Sequence, residues 1–420
     1  MRLQEGVPRR LFANGGNFTF LSRNRLYHCA PMKSLEPPLY PSTTLRWSAH
    51  HIELLAGAAL PQAPVLTARD VRRVAPDLDV WDAWPLADAL GAPVPWRGGQ
   101  LWFALAAPAF DDPEARHAAA RIHHFHRTGD HFVHLGATFP DGFTPGSREW
   151  SGSALYEHGA VTLYFTAAGQ RGEAEPSFHQ RIFASHTRLA EDGAAGVFTG
   201  WSEPDEQVIP ADVIYMSRHE ATGAIGEIKA FRDPAPWRDP AGRDHLLFTG
   251  SSARHVGQYN GVIGCSRRGP ADPEGGAFEK LLPLVDASGI NNELERPHIV
   301  AHDGRLYLFW STQAKVFAPG IVAPTGLYGA VAQTIDGPWR LLNEHGLVFA
   351  NPESEPFQAY SWWVLPDLSV TSFVDYWGID DPAASEKPAE KPTGRAHFGG
   401  TFAPFLQLRV DGAGARLVAG

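Results

Sequence analysis

One pattern returns five times along the chain: a turn rich in Gly, Asp or Pro is followed at once by a short segment of β-branched, aromatic and leucine residues. The five copies are WRGGQLWFALAAP (96–108), YEHGAVTLYFTAAG (156–169), DPAGRDHLLFTGSS (239–252), AHDGRLYLFWST (301–312) and VLPDLSVTSFVDYW (364–377). Such segments, bounded by turn-forming residues, are typical of β-strands. Their starts lie roughly 60 to 85 residues apart, which leaves room for a four-stranded sheet in every interval.

Five similar sheets in an almost all-β chain predict radial repetition, namely a five-bladed β-propeller with a central pocket. The alternative is a pair of β-sandwiches that contain these hairpins by coincidence. A sandwich spaces its strands evenly, about 8–12 residues apart, whereas this chain clusters them, so we favour the propeller. Helical periodicity is scarce. The best candidate for a helix is LTARDVRRVA (66–75), with Val71 and Val74 on one face.

The charge balance and the apolar pattern exclude several classes of partner. With 36 basic and 46 acidic residues, the chain has a formal net charge of −10 and no basic stripe. Nucleic acids and anionic membranes are therefore poor candidates as partners. No run of about 18 apolar residues forms a membrane-spanning helix, and residues 1–16 lack the apolar stretch of a secretory signal. Cys29 and Cys265 permit one disulfide but do not imply it.

The most unusual residues fall in the segment just before each repeated strand. These segments are VWDAWP (80–85), REWSGSA (148–154), AFRDPAP (230–236), NNELERPH (291–298) and QAYSWW (358–363). In a propeller, the innermost strand of each blade lines the central channel. If these segments are the innermost strands, one pocket receives side chains from all five blades: Asp82, Trp150, Arg232, Asp233, Glu293, Glu295 and Tyr360.

Three carboxylates around an aromatic pocket suit the cleavage of a glycosidic bond. One attacks the anomeric carbon, a second donates a proton to the leaving oxygen, and a third can hold sugar hydroxyls. We expect Glu295 to be the acid, because burial and the like charge of Glu293 on the same strand face would raise its pKa. The neighbouring Arg296 could orient Glu295. Arg232 beside Asp233 indicates an aspartate that is kept ionised.

Each motif also has an ordinary structural interpretation. An isolated RDP is usually a turn, ELERP alone fits a solvated strand edge, and WSGS does not match the G-x-S-x-G elbow of serine hydrolases. Their shared offset before a repeated strand favours a site. The histidines of HHFHRTGDHFVH (123–134) suggest zinc, but no carboxylate or cysteine completes a known spacing. We therefore expect no metal and no cofactor.

Together, these motifs resemble those of glycoside hydrolase family 68, the bacterial levansucrases, inulosucrases and related β-fructofuranosidases. VWDAWPL, EWSGSA, FRDP, ELERPH, GLYGAVA and TFAPFL occur in the family's order, and as a set they are highly specific. The likeness runs from TLRWSAHH (44–51) to HFGGTFAPFLQL (397–408). We therefore divide the chain into a catalytic propeller, 44–420, and an N-terminal extension of unknown role, 1–43.

The resemblance implies a propeller that cleaves sucrose with retention of configuration. By motif, Asp82 corresponds to the nucleophile, Glu295 to the general acid/base, and Asp233 to the aspartate that stabilises the transition state. The implied sucrose pocket contains Trp81, Trp150, Ser151, Arg232, Glu293 and Tyr360, and we add Arg296 and Gln313 as candidates. The resemblance also implies an extracellular or periplasmic location, although no signal peptide is visible.

We therefore expect a levansucrase-type fructosyltransferase that transfers fructosyl units from sucrose to water, sucrose or a growing fructan. The nearest alternative is a β-fructofuranosidase of the same family that mainly hydrolyses sucrose, because both activities use the same catalytic residues. More distant alternatives are an arabinan-cleaving propeller and a lectin-like propeller that binds sugar without cleaving it. Many family members carry Arg or His near Gln313, where the side chain is thought to steer the acceptor. We therefore expect hydrolysis and short oligosaccharides to exceed long levan.

Overall fold

The computed structural model describes Pro41 and residues 43–57, 59–190, 196–209, 213–216, 228–255, 257–269, 278–379 and 394–418. The chain divides into two compact units, Met1–Pro38 and Leu39–Gly420. The first unit, which contains Cys29, lies outside the described residues. The boundary at residue 43 therefore stays a prediction, and the possible pairing of Cys29 with Cys265 stays open.

The described strands form the blades that the repeated pattern predicts, and each blade pairs its strands antiparallel from the axis outward. Strand β1 (Leu45–Arg46) and helix α1 (Ala49–Glu53) precede the first blade. Blade 1 contains β2 (Leu78–Ala87), β3 (Pro95–Trp96), β4 (Gly99–Pro108), β5 (Arg121–Thr128) and β6 (His131–Ala137). Blade 2 contains β7 (Arg148–Glu157), β8 (Ala160–Ala168), β9 (Gln180–Arg188) and β10 (Asp205–Val208).

The remaining three blades follow the same plan, and β1 adds to the outer part of blade 3 by pairing in parallel with β15. Blade 3 contains β11 (Phe231–Arg238), β12 (Asp244–Ser251), β13 (Gly261–Arg268), β14 (Glu279–Lys280) and β15 (Val285–Asp286). Blade 4 contains β16 (Glu295–His302), β17 (Arg305–Thr312), β18 (Gly326–Ala332), β19 (Arg340–Leu341) and β20 (Leu347–Ala350). Blade 5 contains β21 (Ala359–Val364), β22 (Ser369–Tyr376), β23 (Phe398–Phe402), β24 (Leu406–Asp411) and β25 (Gly414–Leu417).

The relation between the repeated segments and those before them is confirmed. The repeated segments contain the second strand of each blade, β4, β8, β12, β17 and β22. The segments just before them form the innermost strands, β2, β7, β11, β16 and β21. These innermost strands contact one another in that order, and β21 contacts β2, so they close a ring around the axis.

The second strands are buried on both faces because neighbouring blades cover them. In β12, for example, His245 to Ser251 are all buried. Five of the 13 tryptophans are among the largest fully buried side chains: Trp47, Trp84, Trp102, Trp310 and Trp362. Burying one such ring contributes at most about 4–6 kcal/mol. Many of the tryptophans in this chain therefore contribute to packing between the blades.

Each innermost strand carries one extra residue at the same height. Its register against the second strand shifts directly after Trp81, Trp150, Arg232, Glu295 and Tyr360. In four strands the next residue has a left-handed backbone, with φ of 42° at Asp82, 60° at Asp233, 51° at Arg296 and 62° at Ser361. In blade 2 the bulge ends at Gly152, where a Cβ would lie 1.9 Å from the carbonyl oxygen of Tyr164. Bulges of this kind re-aim side chains, so all five strands change the direction of their side chains at one level.

Helices are few in the described part of the chain. Besides α1, it contains two short 3₁₀ helices, Pro113–Ala118 and Ala314–Val316. Among the described residues, no helix is both long and apolar enough to cross a membrane.

The predicted helix over 66–75 is wrong. The segment contains a turn in which Asp70 accepts hydrogen bonds from the backbone and hydroxyl of Thr67, at 2.7 Å each. Its first backbone N–H, that of Leu66, donates to the side chain of Gln358 at 2.9 Å. Contacts with blade 5 therefore satisfy backbone hydrogen-bonding groups of this segment in a non-helical conformation, and they override its modest helical preference.

A buried ion cluster ties blade 1 to the chain segment that enters β23. Asp79, at the start of β2, has a side chain that is 0% exposed. Arg395 donates to both of its oxygens, at 2.9 and 2.8 Å, and Arg73 donates to Oδ1 at 2.9 Å. A bidentate, charge-assisted pair is among the stronger polar contacts in proteins. The cluster therefore fastens the last blade to the first, where the ring closes.

Replacing Asp79 with alanine should lower the free energy of unfolding by about 3 kcal/mol or more, because two guanidinium groups lose their shared buried acceptor. Urea or thermal unfolding of the purified protein measures the change. Asp141→Ala is the matched control, since its side chain is 96% exposed in its contact with Arg121, and its loss should cost less than about 1 kcal/mol. Equal stability of the two variants would contradict the closing role of Asp79.

Candidate active site

The five bulges meet in one pocket on the propeller axis. It holds about 910 Å³ of space with its open mouth included, a size suited to a small ligand. Every predicted site residue lines it: Trp81, Asp82, Trp150, Ser151, Arg232, Asp233, Glu293, Glu295, Arg296, Gln313 and Tyr360. The structure therefore brings together all of the side chains that the sequence predicts for the site.

Asp82 is held by the neighbouring blade. The hydroxyl of Ser151 donates to Asp82 Oδ2 at 2.5 Å, and Ser151 itself is buried. A hydrogen bond from a fixed hydroxyl orients the carboxylate without cancelling its negative charge. This arrangement suits an attacking group.

Asp233 is the most enclosed of the three carboxylates. Its Oδ2 accepts hydrogen bonds from the hydroxyl of Thr249 at 2.9 Å and the backbone N–H of Arg296 at 3.1 Å. Burial raises the pKa of Asp233 to about 6, although the charge of Arg232 opposes the rise. The sequence predicted that Arg232 keeps this aspartate ionised. Arg232 Nε lies 3.7 Å from Oδ2, so burial outweighs its charge.

Arg232 instead links the two glutamates of the pocket. Its Nη2 donates to Glu293 Oε2 at 3.0 Å and to Glu295 Oε1 at 2.7 Å. The hydroxyl of Tyr360 donates to the other oxygen of Glu295. Glu295 is thus held by two donors from different blades, while Glu293 shares one of them.

The two glutamates titrate as a pair, with shifts in opposite directions. Burial raises the pKa of Glu293 to about 7, with the charge of Arg232 opposing and that of Glu295 adding to the rise. Burial also acts on Glu295, but the charge of Arg232 and the hydrogen bonds from Tyr360 and Arg232 outweigh it and lower the pKa. The expectation of a raised pKa at Glu295 is therefore wrong. The raised pKa belongs to Glu293.

The sequence predicted that Arg296 orients Glu295, but the hydrogen bonds of its guanidinium go to other groups. Its Nη2 donates to the carbonyl of Ala83 at 2.8 Å, and its Nη1 donates to the hydroxyl of Ser361 at 3.0 Å. It therefore joins the innermost strands of blades 1, 4 and 5. The guanidinium that orients Glu295 is that of Arg232.

Part of the pocket lining was not predicted from the sequence. The 3₁₀ helix Pro113–Ala118 and three further positions supply it with Glu114, Arg116, His117, Lys315, Ser361 and Asp375. The guanidinium of Arg116 lies over the ring of Trp81, 5.5 Å from its centroid. The helix lies between the second and third strands of blade 1, so the fivefold offset could not point to it. The sequence could have indicated Ser361, because it occupies the bulge position that Asp82 occupies in blade 1.

The histidine-rich segment lies on the outer strands of blade 1, and none of its histidines lines the pocket. His123 Nδ1 and His134 Nε2 are 2.8 Å apart and share a hydrogen bond. Burial, with the charge of His134, lowers the pKa of His123 to about 3. Within the described ranges, no three His, Cys, Asp or Glu side chains are placed to hold a metal ion.

The chain is similar to known proteins in both sequence and fold. A family model described as levansucrase/invertase matches residues 42–273 and 260–418. Levansucrase LscA of Pseudomonas savastanoi pv. glycinea is 31% identical over 376 residues, which cover 79% of this chain and 84% of the relative. A levansucrase of Zymomonas mobilis subsp. mobilis is 32% identical over 365 residues, covering 79% and 80%.

Two solved structures share the fold of this chain. An inulosucrase from Halalkalicoccus jeotgali bound to kestose has a TM-score of 0.78 at 33% identity, covering 89% of this chain and 95% of that one. Bacillus subtilis levansucrase, at 19% identity, shares the fold with a TM-score of 0.73 over 90% and 95% of the two chains.

Glycoside cleavage in this pocket should show a bell-shaped dependence of kcat/KM on pH. The role expected of Asp233, which is to accept hydrogen bonds from sugar hydroxyls, needs its ionised form, so activity should be lost as the pH falls below about 6. The leaving oxygen needs the proton that the pair of Glu293 and Glu295 retains, so activity should be lost as the pH rises above about 7. Initial rates of sucrose cleavage across the pH range measure both limbs.

Glu293→Gln is the informative variant for the alkaline limb. Removing the negative neighbour lowers the pKa of Glu295 further, so the limb should move to lower pH. A limb that stays in place would show that the glutamate pair is not the proton source.

Proposed function

We propose that this protein is a levansucrase-type fructosyltransferase that cleaves sucrose with retention. The proposal starts from the family: the chain belongs to glycoside hydrolase family 68, the levansucrases and invertases. The observation that carries the proposal is the convergence of Asp82, Asp233 and Glu295 at three bulges of one pocket, each with its own fixed partners. A sugar-binding protein would not need an attacking carboxylate, a proton donor and a third carboxylate at one level.

The first half of the reaction transfers the fructosyl unit to the enzyme. The carboxylate of Asp82 attacks the anomeric carbon of the fructosyl ring as its bond to the glycosidic oxygen breaks. Glu295 donates its proton to that oxygen, and glucose departs. The products are glucose, an ionised Glu295 and a fructosyl ester on Asp82.

The second half returns the enzyme to its starting state. Glu295 takes a proton from water or from an acceptor hydroxyl, and the oxygen so activated attacks the anomeric carbon. The ester bond breaks and Asp82 is released as a carboxylate. Water gives free fructose, whereas a sugar acceptor gives a chain longer by one fructosyl unit. Two displacements on the same carbon preserve its configuration.

Asp233 stabilises the transition state between these halves. Positive charge develops on the fructosyl ring as the glycosidic bond breaks, and the hydroxyls of the ring then donate more strongly. The Thr249 hydroxyl and the Arg296 backbone N–H hold Asp233 in position before the sugar arrives. A carboxylate fixed in advance costs no reorganisation at the moment of reaction.

The proton needed in the first half comes from the glutamate pair. The pKa of Glu295 is lowered by Arg232 and Tyr360, while Glu293 keeps a proton up to a pH of about 7. Sugar hydroxyls that take over the hydrogen bonds of Tyr360 or Arg232 leave Glu295 with less stabilisation of its charge. Its pKa then rises, and the proton of the pair moves to Glu295.

The acceptors proposed are water, sucrose and fructo-oligosaccharides or fructan. Gln313 lines the pocket as expected, and Lys315 lines it too, with a charge that lowers the pKa of both Glu293 and Glu295. The pocket therefore has an ammonium that none of the sequence motifs indicated. A flexible lysine holds a hydroxyl less firmly than a planar guanidinium does, so we still propose that transfer to long chains is the minor outcome.

An invertase-type β-fructofuranosidase is the alternative, and it differs only in how the fructosyl ester is shared between water and sugar. Because the two activities share one pocket, the ratio of free fructose to polymer separates them. On the family resemblance we also propose an extracellular or periplasmic site of action.

Three variants test the roles of the carboxylates. Asp82→Asn keeps the shape but removes the attacking charge, and sucrose turnover should fall on the order of 10³-fold or more. Glu295→Gln and Asp233→Asn should also be slow on sucrose. Only Glu295→Gln should recover the ester-forming first half on a fructosyl donor with a good leaving group, because departure then needs no proton.

Glucose release measures turnover of sucrose, a rapid burst of the other leaving group measures ester formation from the activated donor, and circular dichroism checks folding. Substantial turnover by folded Asp82→Asn, or equal behaviour of the other two variants, would contradict the assignment. A wild-type protein that binds sucrose but releases no glucose would be a lectin-like propeller instead.

Gln313→Arg should lengthen the products with little effect on sucrose consumption. A hydrogen bond from a charged donor contributes roughly 1.5–3 kcal/mol against about 1 for a neutral amide. The acceptor should gain about 1 kcal/mol, a several-fold shift away from water. Product chromatography at moderate sucrose measures the ratio of free fructose and short oligosaccharides to polymer.

Gln407→Arg is the matched control, because it adds the same charge on the exposed outer part of blade 5. Long levan as the main product of the native enzyme in dilute sucrose would contradict the expected partition. So would Gln313 variants that change consumption but leave product lengths as they were.

A further inference from the structure

A lysine next to the pocket is held by oxygens from two other segments of the chain. Lys229 Nζ donates to the side-chain oxygens of Asn260 at 2.9 Å and Asn292 at 2.8 Å, and to the backbone carbonyl of Gln258. An ammonium has three N–H donors, and oxygen acceptors of this kind satisfy them. Lys229 does not itself line the pocket, whereas the preceding residue, Ile228, does.

Lys229 and the two segments that hold it all lead into strands of blades 3 and 4. Lys229 lies two residues before β11, which carries Arg232 and Asp233. Asn260 directly precedes β13, and Asn292 lies three residues before β16, which begins with Glu295. Asn260 and Asn292 are 1% and 0% exposed. One ammonium therefore cross-links, in a largely buried place, the approaches to two innermost strands.

From Asn292 a chain of hydrogen bonds continues into the active site. Its Nδ2 donates to Glu293 Oε1 at 3.4 Å. Glu293 and Glu295 then share Arg232, as described above. The backbone of Glu293 is fixed as well, because its N–H donates to Asn291 Oδ1 at 2.8 Å.

We infer that Lys229 is a positioning residue of the proposed reaction. Its ammonium holds the segment that carries Glu293 against β11, so that both glutamates can share Arg232. This role rests on the proposed function. Lys229 touches neither the pocket nor the substrate, and it acts through Asn292. A buried or half-buried cation must keep its donors paired, so Asn260, Asn292 and Lys229 depend on one another.

The test replaces Lys229 with methionine, which keeps the length of the side chain but removes its charge and donors. The value of kcat/KM for sucrose should fall about 10- to 100-fold, the loss expected when a reacting group shifts by about 1 Å. The alkaline limb of the pH profile should move to higher pH, because Glu293 loses its contact with Arg232, whose charge opposes the rise in its pKa. A merely structural role would lower stability without moving this limb.

Lys280→Met is the matched control. Its Nζ donates to the carbonyl of Ile209 at 2.8 Å, on the outer part of blade 3, so both kcat/KM and the alkaline limb should stay as in the wild type. If Lys229→Met does not fold, Lys229→Gln keeps two N–H donors without the charge and carries the same measurements.

A chemical rescue separates the ammonium from general packing. In Lys229→Ala, ethylammonium chloride can place an ammonium among the same three oxygens, and part of the lost activity should return. Tetramethylammonium chloride at the same concentration has no N–H donors and should restore none.

The outcomes distinguish this role from the proposed function. An active wild type together with a fully active Lys229→Met, an unmoved alkaline limb, or equal rescue by both salts would overturn the role of Lys229 alone. A wild type that releases no glucose from sucrose would overturn the proposed function itself.

Discussion

A regular β-strand turns successive side chains to opposite faces, so it can offer a pocket only every second residue. The extra residue in each innermost strand removes this limit: Trp81 and Asp82, like Arg232 and Asp233, face the pocket as consecutive pairs. A left-handed residue other than glycine costs on the order of 1–3 kcal/mol. The buried second strands and the packing between blades stabilise the ring enough to hold four such residues.

The electrostatics of the pocket follow from this crowding. Bulges of blades 1, 3 and 4 bring three carboxylates and Glu293 close together in a largely buried space, where like charges cannot all be stable. The negative charges of the two glutamates are stabilised unequally, because Arg232 donates to both Glu293 and Glu295 while Tyr360 donates to Glu295 alone. One glutamate is stabilised as an anion and the other keeps a proton. A pair of this kind can supply a proton in one half of the cycle and take it back in the other.

Much of this could be predicted from the sequence, because strand composition and turn residues are local signals. The repeated turn-plus-strand segments correctly gave the second strands, and the shared offset before them correctly gave the innermost strands. Whatever depends on partners distant in sequence was harder to foresee. The bulges depend on register between strands, and the lowered pKa of Glu295 depends on which groups Arg232 reaches. The turn at 66–75 depends on contacts with blade 5, and the wall from 113–118 lies outside the repeat.

The central claim is that Asp82 forms a covalent bond to the fructosyl unit, and this can be seen directly. Glu295→Gln, mixed with an activated fructosyl donor, should form the ester without needing an acid and then retain it for lack of a base. Rapid acid quenching, digestion and mass spectrometry should find one fructosyl unit on the peptide that contains Asp82. A peptide that stays unmodified while the donor is turned over, or a fructosyl unit on a different carboxylate, would contradict the account.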